Sequence, residues 1–500
     1  MASLWIWTLI ITLVPVLAVT WLSRIGHNRH KKLPPGPKGF PIFGSLHLLG
    51  KLPHRDLHRL SRKYGPIMHM RLGLIPTIIV SSADAAELFL KTYDHVFASR
   101  PRTQVTKHMF YGSKNFGFSP QGPYWRSMRK MCTLELLSTQ KVGSFRSMRR
   151  EELGLLVDFL KEAAEKHVVV NLSSKIYCVV RDMTCLMVFG KKYDESALEA
   201  RAFEAAVQEV VQLVATPNLG DLIPWVAGLD LQGLNRRAKS VGKMFDGFLE
   251  RIVEEHLVCK DENKTKDFVD VLLGLMSSQN NEYQIDRSTI KALILEMLIT
   301  AMDTSATVIE WAIPELIKHP EAMKKMQEEL EKVVGLNRRV EESDLGHLEY
   351  FDMVVKEILR LHPPVPLLVP HESLKDCIIN GFHIPKGSRM MVNAWTIGQD
   401  PNVWNDPQKF FPERFIGSQV DLKGKDNFQL IPFGSGRRGC PGIQMGLTMI
   451  CLVLAELVHC FDWKLPNDIL LAELDMTENF GLTCPRIQDL MLTPIYRLHN

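Results

Sequence analysis

A single cysteine lies in a short loop that is rich in glycine and arginine, "FGSGRRGCPG" at residues 433–442. The glycines permit tight turns and let the backbone approach a flat ligand that side chains would hold away. An apolar helical run starts at Ile443, which places Cys440 near a helix N-terminus, where backbone N–H groups favour a thiolate. The loop therefore suits a cysteine whose thiolate acts as a soft anionic ligand. The pattern alone also fits a glycine-rich turn with an incidental cysteine.

A second cluster of polar residues interrupts an apolar stretch, "LEMLITAMDTSATVIEW" at residues 295–311. The stretch predicts a helix with Asp303, Thr304 and Ser305 at its centre. A carboxyl group beside a hydroxyl can deliver protons to a bound reactant. A carboxylate on a water-facing side of the helix would give the same pattern. Pro314 is expected to kink or end this helix, because proline lacks the N–H that the helix needs.

Two further pairs of residues have helical spacing. In "KEILR", Glu357 and Arg360 are three residues apart and share a helix face. Apolar neighbours on both sides favour a buried ion pair over a surface one, and a buried charge must be paired. In "WRSMR", Trp125 and Arg129 are four residues apart, so an indole N–H and a guanidinium point the same way from one helix.

The loop around the cysteine carries a complete pattern, F-x-x-G-x-R-x-C-x-G, at Phe433, Gly436, Arg438, Cys440 and Gly442. It resembles the haem-binding loop of the cytochromes P450. Together with "LPPGPKGFPIFG" and "FPERF", it is similar to the plant microsomal (A-type) P450 monooxygenases of specialised metabolism. The resemblance implies the cytochrome P450 fold, mainly α with a minor β part.

The resemblance implies haem b as the cofactor, with Cys440 as the axial ligand of the iron. It assigns haem contacts to seven other residues: Trp125, Arg129, His371 and Arg438 at the propionates, and Phe433, Gly434 and Gly442 in the loop. The family often has arginine where this chain has His371, and a neutral histidine would bind a carboxylate less firmly.

The resemblance also places the Asp303–Thr304 pair over the iron, as the catalytic residues that relay protons. Glu357, Arg360 and Arg414 are expected to form a structural lock near the haem loop. This chain departs from the pattern at Thr300 and Ala301, where the family has Ala-Gly. The two substitutions narrow the groove above the haem and are expected to affect selectivity.

By region, family members line the substrate pocket with ten positions of this chain, although core packing is an equally good account of most of them: Phe116, Phe118, Met297, Thr300, Ala301, Leu367, Leu368, Val369, Phe480 and Leu482. All but Thr300 are apolar. We therefore expect a lipophilic small molecule as the substrate, such as a terpenoid or a phenylpropanoid or other aromatic metabolite.

The composition excludes several classes of protein. The chain has 500 residues, a net charge of +4 and no run of five or more basic residues, so no nucleic-acid partner is expected. The nine cysteines are odd in number and scattered, which argues against a disulfide scaffold and a structural zinc site. There is no internal repeat, and helical periodicity dominates from residue 123 to about residue 356, with two short strands before it and short strands after it.

The N-terminal segment predicts a membrane anchor. Residues 2–23 carry no charge and are long enough to cross a bilayer, and basic residues follow, which leaves the rest of the chain on the cytosolic side. We expect a transmembrane anchor at 1–23, a basic and proline-rich hinge at 24–44 and a haem-thiolate catalytic domain at 45–500. The expected location is the endoplasmic reticulum membrane, with a single pass.

The expected activity is that of a haem-thiolate monooxygenase that uses O2 and electrons from NADPH through NADPH–cytochrome P450 reductase. Arg126, Lys130 and Arg437 are expected to form a basic face for an acidic reductase. Two alternatives remain at this stage. One is a P450-fold isomerase or dehydratase that needs no reductase, and the other is a non-catalytic, membrane-anchored haem-binding protein.

Overall fold

The computed structural model describes residues 32–192, 198–258, 265–278, 283, 285–466 and 470–499, without the side chains of 198–202 and 204. The expected transmembrane anchor at 1–23 and the first part of the hinge, 24–31, lie outside the described residues. The rest of the hinge belongs to the described part of the chain.

The described part of the chain is mainly helical. In chain order its α-helices are α1 Pro53–Tyr64, α2 Ala83–Glu87, α3 Asp94–Phe97, α4 Gln104–Met109, α5 Pro123–Met131, α6 Thr139–Ser144, α7 Arg146–Glu165, α8 Leu172–Phe189, α9 Leu198–Ala215, α10 Leu219–Leu222, α11 Leu234–Val258, α12 Phe268–Ser277, α13 Arg287–Lys318, α14 Pro320–Val334, α15 Glu349–Leu361, α16 Ala394–Gly398 and α17 Ile443–His459.

The strands are short and form three small sheets. They are β1 Ile67–Leu72, β2 Ile75–Val80, β3 Val170–Asn171, β4 His371–Glu372, β5 Cys377–Ile379, β6 Phe382–Ile384, β7 Arg389–Val392, β8 Phe461–Lys464 and β9 Met491–Tyr496. The sheet orders are β1-β2-β7-β4, β3-β9-β8 and β5-β6. The two short strands expected before residue 123 are β1 and β2, which pair antiparallel with Ile67 opposite Val80.

Helix α13 forms the centre of the core. The side chain of Asp286 caps its start by accepting a hydrogen bond from the N–H of Thr289 at 2.7 Å. Helices α8 and α17 pack along it, and its residues are buried on almost every side, as expected for a helix that is apolar all round. By length and composition α13 could cross a membrane, but it is mostly buried inside the protein, so we describe it as a core helix. It continues through Pro314 to Lys318, so the proline does not end it.

The described part of the hinge, residues 32–44, contains no helix and packs against the first sheet. The N–H of His69 on β1 donates to the carbonyl of Pro35 at 2.9 Å. A Cβ on Gly36 would lie 1.6 Å from the carbonyl oxygen of His69, so only glycine allows the chain to lie this close to the strand. This contact fixes the direction in which the chain leaves the fold.

Candidate active site

A cavity lies between the middle of α13 and the loop that precedes α17. The cavity is lined by residues of α5, α13, α15 and α17, of the segments on either side of α5, of the segments after α3 and around β4, and of the loop itself. They are Arg100, Phe116, Gly117, Phe118, Arg129, Leu137, Glu296, Met297, Thr300, Ala301, Thr304, Ser305, Val308, Leu359, Pro364, Val365, Leu368, Val369, His371, Pro432, Phe433, Gly434, Ser435, Arg438, Cys440, Pro441, Gly442, Met445, Gly446, Met449 and Ile450.

The loop at 433–442 holds Cys440 against this cavity. Gly434 and Gly436 have φ angles of 67° and 68°, a region that favours glycine. A Cβ on Gly436 would also lie 2.2 Å from the carbonyl oxygen of Leu90. The N–H of Cys440 donates to the carbonyl of Phe433 at 2.8 Å and closes the loop. Cys440 is surrounded by protein, and its exposed surface faces the cavity.

The pKa of the Cys440 thiol is raised, whereas its position near a helix N-terminus suggested a lowered pKa. Burial raises its pKa, while a hydrogen bond from the N–H of Gly442 and the charge of Arg129 lower it. The N–H groups expected at the start of α17 are therefore present, but burial has the larger effect. A bound metal ion would reverse this balance, because cysteine binds metal ions as the thiolate.

The guanidinium of Arg438 lies on the backbone that surrounds the cavity. It donates to the carbonyls of Ala98, Phe116 and Ser119 at 2.6, 3.1 and 2.7 Å. It also lies 4.0 Å above the ring of Trp125, a cation–π distance. Burial and the neighbouring charge of Arg129 lower the pKa of Arg438 to about 9, so an anion beside it would stabilise its charged form.

Three other residues expected at the haem propionates lie in the same region. Trp125 is buried, and its Nε1 has no hydrogen-bond partner among the described residues. Arg129 donates to the carbonyl of Gly439 at 2.5 Å. His371, on β4, places Nδ1 2.8 Å from the carbonyl of Phe97, so Nδ1 carries the proton. Burial and the charge of Arg100 hold the pKa of His371 well below its usual value, and the ring is neutral.

Sequence reasoning missed a third arginine at the cavity, Arg100. It donates to the carbonyls of Gly117 and Pro370 at 3.2 and 2.9 Å and to that of Val369. Burial, followed by the charges of the other two arginines, lowers its pKa well below the usual value. The only signal in the sequence was an arginine directly after the apolar run "VFAS", which reads equally well as the polar end of a short helix.

The charges of the cavity fit a flat ligand that carries two carboxylates. Three guanidiniums, those of Arg100, Arg129 and Arg438, line it, and the lining contains one carboxylate, that of Glu296. Buried like charges repel and require counter-charges. Trp125 does not line the cavity, but its ring contacts Arg438, and its buried indole N–H has no partner among the described residues and is a donor available for a bound carboxylate. Two propionates and a thiolate-bound iron would satisfy these groups, so the residues present fit a haem.

Thr304 lines the cavity, but Asp303 does not. The hydroxyl of Thr304 donates to the carbonyl of Thr300 at 2.7 Å, and that of Thr300 donates to the carbonyl of Glu296 at 2.8 Å. Such bonds compete with the helix ladder and loosen the turn. The carboxylate of Asp303 instead accepts from the hydroxyl of Thr483 at 3.1 Å, and burial raises its pKa. The acid therefore lies on another face of α13 than the threonine, in contrast to the expectation that both lie over the iron.

Seven of the ten expected pocket residues line the cavity: Phe116, Phe118, Met297, Thr300, Ala301, Leu368 and Val369. Leu367, Phe480 and Leu482 do not. Leu367 packs with the core beside β1, the ring of Phe480 stacks on that of His54 at 5.6 Å, and Leu482 packs on the main core. Residues 367 and 368 separate because the chain turns sharply at Leu368, where φ is 49°.

The acid and two arginines expected to form a lock lie together. Arg360 donates from Nε and Nη2 to the two oxygens of Glu357 at 2.7 and 2.8 Å, and Arg414 donates to the same carboxylate at 3.0 Å. The side chains of Glu357 and Arg360 are 0% exposed. Arg360 also donates to the carbonyls of Gly398 and Pro407 at 2.6 and 2.7 Å, which ties α15 to the segment that leads towards the loop.

A second cysteine has acidic and histidine neighbours but belongs to another region. His54, Glu478 and Cys484 lie close enough together to hold a metal ion. Arg55 already donates to both oxygens of Glu478, at 2.8 and 2.9 Å, and a metal ion would have to bind beside that cation. Cys484 does not line the arginine-rich cavity. Cys440 is therefore the cysteine that fits an iron ligand.

Comparison with known proteins identifies the family of this chain. The family model for cytochrome P450 matches residues 34–488. Cytochrome P450 CYP736A12 of Panax ginseng is 52% identical over 478 residues, which are 94% of this chain and 95% of that protein. A flavonoid 3'-monooxygenase of Crocosmia x crocosmiiflora is 39% identical, with 99% and 98% covered. A zebra fish cytochrome P450 structure with progesterone superposes with a TM-score of 0.78 at 26% identity, covering 89% of this chain and 99% of that one.

The chain belongs to the cytochrome P450 family, a family of haem monooxygenases. Within the family it is a plant P450 of the A-type kind, because its similar curated relatives include plant P450s that match over most of the chain.

Proposed function

We propose that this protein hydroxylates a lipophilic specialised metabolite, a terpenoid or an aromatic compound, with O2 and electrons from NADPH–cytochrome P450 reductase. One observation carries the proposal. The sulfur of Cys440 and the hydroxyl-bearing turn at Thr304 line one cavity, together with three arginines. This arrangement would supply an iron ligand, a polar group on α13 and counter-charges for two propionates.

The residues of the loop and its surroundings would hold the haem. Cys440 would bind the iron, and Trp125, Arg129, Arg438 and Arg100 would bind the propionates. When bound, the haem activates O2 for insertion into a C–H bond. His371 donates from Nδ1 to the carbonyl of Phe97, so its Nε2 can donate to a propionate only as the imidazolium. The negative charge of the propionate would favour that form.

Asp303 and Thr304 would control proton delivery. Thr304 would orient water on the cavity side of α13. Asp303 would take up and release protons on the other side of the helix, next to the hydroxyl of Thr483. Because the two side chains leave the helix in different directions, a water molecule or a rotation of the Asp303 side chain has to connect them. Burial raises the pKa of Asp303, which suits a group that both takes up and releases protons.

The lining of the cavity supports a lipophilic substrate. Apart from the arginines, Glu296 and the threonines, most of its residues are apolar, which is typical of sites for hydrophobic small molecules. Two relatives have names that describe oxygenation of such molecules, the flavonoid 3'-monooxygenase above and a 3-beta-hydroxylase of Tanacetum parthenium that is 40% identical, with 95% of each chain covered. Thr300 and Ala301 also line the cavity, and the bulkier turn that they form would restrict the access of a substrate to the haem.

A basic depression on the opposite side of the loop supports docking of an acidic reductase. Lys91, Lys423 and Lys425 line it beside Cys440. Of the residues expected from the sequence, Arg126 is exposed, and Arg437 is half-exposed and paired with Asp94 at 3.1 Å. Lys423 and Lys425 come from a loop that the sequence did not indicate.

Reversal of these charges tests the docking surface. The double variant Lys423→Glu, Lys425→Glu should raise the reductase concentration needed for half-maximal turnover, and the effect should shrink as salt screens the charges. Lys243→Glu, on the exposed side of α11, is the matched control and should behave as the wild type. An unchanged dependence on reductase in the double variant would contradict this docking site.

Exposed apolar side chains near the hinge support membrane association. Phe40 and Phe43 are more than half exposed, and so are Trp225, Leu229 and Leu231. Both segments meet the β1–β2 turn, where the N–H of Gly73 donates to the carbonyl of Phe43 and the N–H of Leu74 to that of Leu222. We propose that this face rests on the endoplasmic reticulum membrane beside the single anchor at 1–23.

The function is tested by expression in microsomes with a plant reductase. The reduced, carbon-monoxide-bound protein should show the red-shifted band of a thiolate-ligated haem. A panel of terpenes and phenylpropanoids, analysed by mass spectrometry, should yield a product that is heavier by one oxygen atom and that requires NADPH and reductase. A thiolate band without NADPH oxidation over the panel would favour a non-catalytic role, and conversion without reductase would favour an isomerase or dehydratase.

A further inference from the structure

The carboxylate of Glu296 holds the backbone of the segment that closes the cavity from the side of α5. It lies on α13, two turns before Thr304, and it is 2% exposed. It accepts hydrogen bonds from Asn115 Nδ2 at 2.9 Å, from the N–H of Phe116 at 3.0 Å and from the N–H of Gly117 at 2.7 Å. All three donors belong to consecutive residues, so one side chain fixes the conformation of the segment.

The glycine at 117 is required by this contact. A Cβ there would lie 2.2 Å from Oε1 of Glu296. Outside the two neighbouring residues, the next nearest atoms are the carboxyl carbon of Glu296 at 3.4 Å and Nδ2 of Asn115 at 4.0 Å. A side chain at 117 would therefore meet the carboxylate itself. The backbone can approach the carboxylate closely only because residue 117 has no side chain.

The other edge of the same segment is held by two of the arginines. Arg438 donates to the carbonyls of Phe116 and Ser119, and Arg100 donates to the carbonyl of Gly117. The N–H groups of residues 116 and 117 thus bind an anion on α13, and the carbonyls bind cations at the haem site. The rings of Phe116 and Phe118, which line the cavity, are carried by a backbone held from both sides.

We propose that Glu296 is a positioning residue that sets the shape of the substrate cavity by fixing the segment 115–119 and with it Phe116 and Phe118. The proposal rests on the proposed function only in taking this cavity as the substrate site. Glu296 contacts the backbone of the segment and determines selectivity through the two phenylalanines. Its loss should change which ligands fit and leave the haem-thiolate bond intact.

Two nitrogen ligands of different size test the proposal without a known substrate. Imidazole binds the iron and needs little room, whereas 4-phenylimidazole also needs the cavity. Both dissociation constants are measured by optical difference spectra on the full-length holoprotein. In Glu296→Gln the new amide N–H groups face backbone donors. We expect 4-phenylimidazole to bind roughly tenfold more weakly, in line with buried donors left without an acceptor, and imidazole to bind unchanged.

A second variant and two matched controls keep the test decisive. Gly117→Ala should reproduce the effect of Glu296→Gln, because its Cβ displaces the same carboxylate. Gly122→Ala is the control for the glycine change, since nothing lies within 4 Å of its Cβ position. Glu456→Gln is the control for the loss of a buried carboxyl, because Glu456 is also 2% exposed but binds Cys460 at 3.1 Å, outside the cavity.

The outcomes separate this proposal from the proposed function. An unchanged ratio of the two dissociation constants in Glu296→Gln and Gly117→Ala would overturn the role of Glu296. An equal loss of both ligands, or an equal change of the ratio in Glu456→Gln, would also overturn it, because the effect would then be general. A wild-type protein without the thiolate band would instead contradict the proposed function.

Discussion

The hydroxyl of Thr483 donates a hydrogen bond to the carboxylate of Asp303 at 3.1 Å, between residues 180 positions apart in the sequence. Thr483 is buried in the segment between β8 and β9, and Asp303 lies in the middle of α13. The adjacent Thr304 lines the cavity. The carboxyl group of Asp303 and the hydroxyl of Thr304 therefore lie on two sides of one helical turn, and the bond from Thr483 helps to hold the acid away from the cavity.

Removal of the Thr483 hydroxyl should move the pH dependence of coupling. Burial raises the pKa of Asp303, and the hydrogen bond from Thr483 lowers it, since a bond to the ionised form stabilises that form. Thr483→Val removes this bond and leaves only the bond from Gln208 to lower the pKa, so the pKa rises and the acid limb of the profile of product formed per NADPH moves to higher pH. Thr483→Ser, which keeps a hydroxyl, should retain the wild-type profile. An identical profile in Thr483→Val would show that the bond does not tune Asp303.

Exchange of cysteines distinguishes the iron ligand from other thiols. Cys440→Ser should abolish the red-shifted carbon-monoxide band, because a hydroxyl does not replace the thiolate at the iron. Cys484→Ser should retain the band, since Cys484 does not line the cavity. The measurement is the reduced difference spectrum of both variants at equal protein concentration. Loss of the band in Cys484→Ser alone would reverse the assignment.

The indole N–H of Trp125 should strengthen haem retention. Trp125→Phe keeps a ring beneath Arg438 but removes the N–H that has no partner among the described residues. One hydrogen bond to a charged group contributes about 1.5–3 kcal/mol, so we expect haem to transfer to apomyoglobin at least about tenfold faster. Trp463→Phe, whose Nε1 donates to the carbonyl of Leu457, is the control and should not change the rate of transfer.

Loss of the buried acid on α15 should destabilise the fold. Glu357→Gln leaves Arg360 with an uncompensated charge at a fully buried position, and breaking such a pair costs about 3–5 kcal/mol. We expect a lower midpoint of thermal unfolding and a low yield of holoprotein. Glu328→Gln breaks the exposed pair with Lys324, where both side chains are more than 60% exposed, and should leave the midpoint nearly unchanged. Equal midpoints for the two variants would contradict the structural role of Glu357.

Local chemistry was readable from the sequence. The glycines, arginine and cysteine of residues 433–442 lie next to one another in the chain, so their motif needs no knowledge of distant segments. The same holds for Glu357 with Arg360 and for the helical character of α13, because helix periodicity relates residues three and four apart. These features suffice for the family, the cofactor and the class of reaction.

Tertiary structure decided which neighbours face the cavity. Asp303 and Thr304 are adjacent, and so are Leu367 and Leu368, yet one of each pair lines the cavity and the other does not. Arg100 and Glu296 gave no local signal, because their partners are carbonyls and N–H groups of segments far away in the chain, up to 270 positions for Arg100 and 181 for Glu296. A sequence pattern records residue types along one segment, whereas burial, charge balance and cavity shape arise only where distant segments meet.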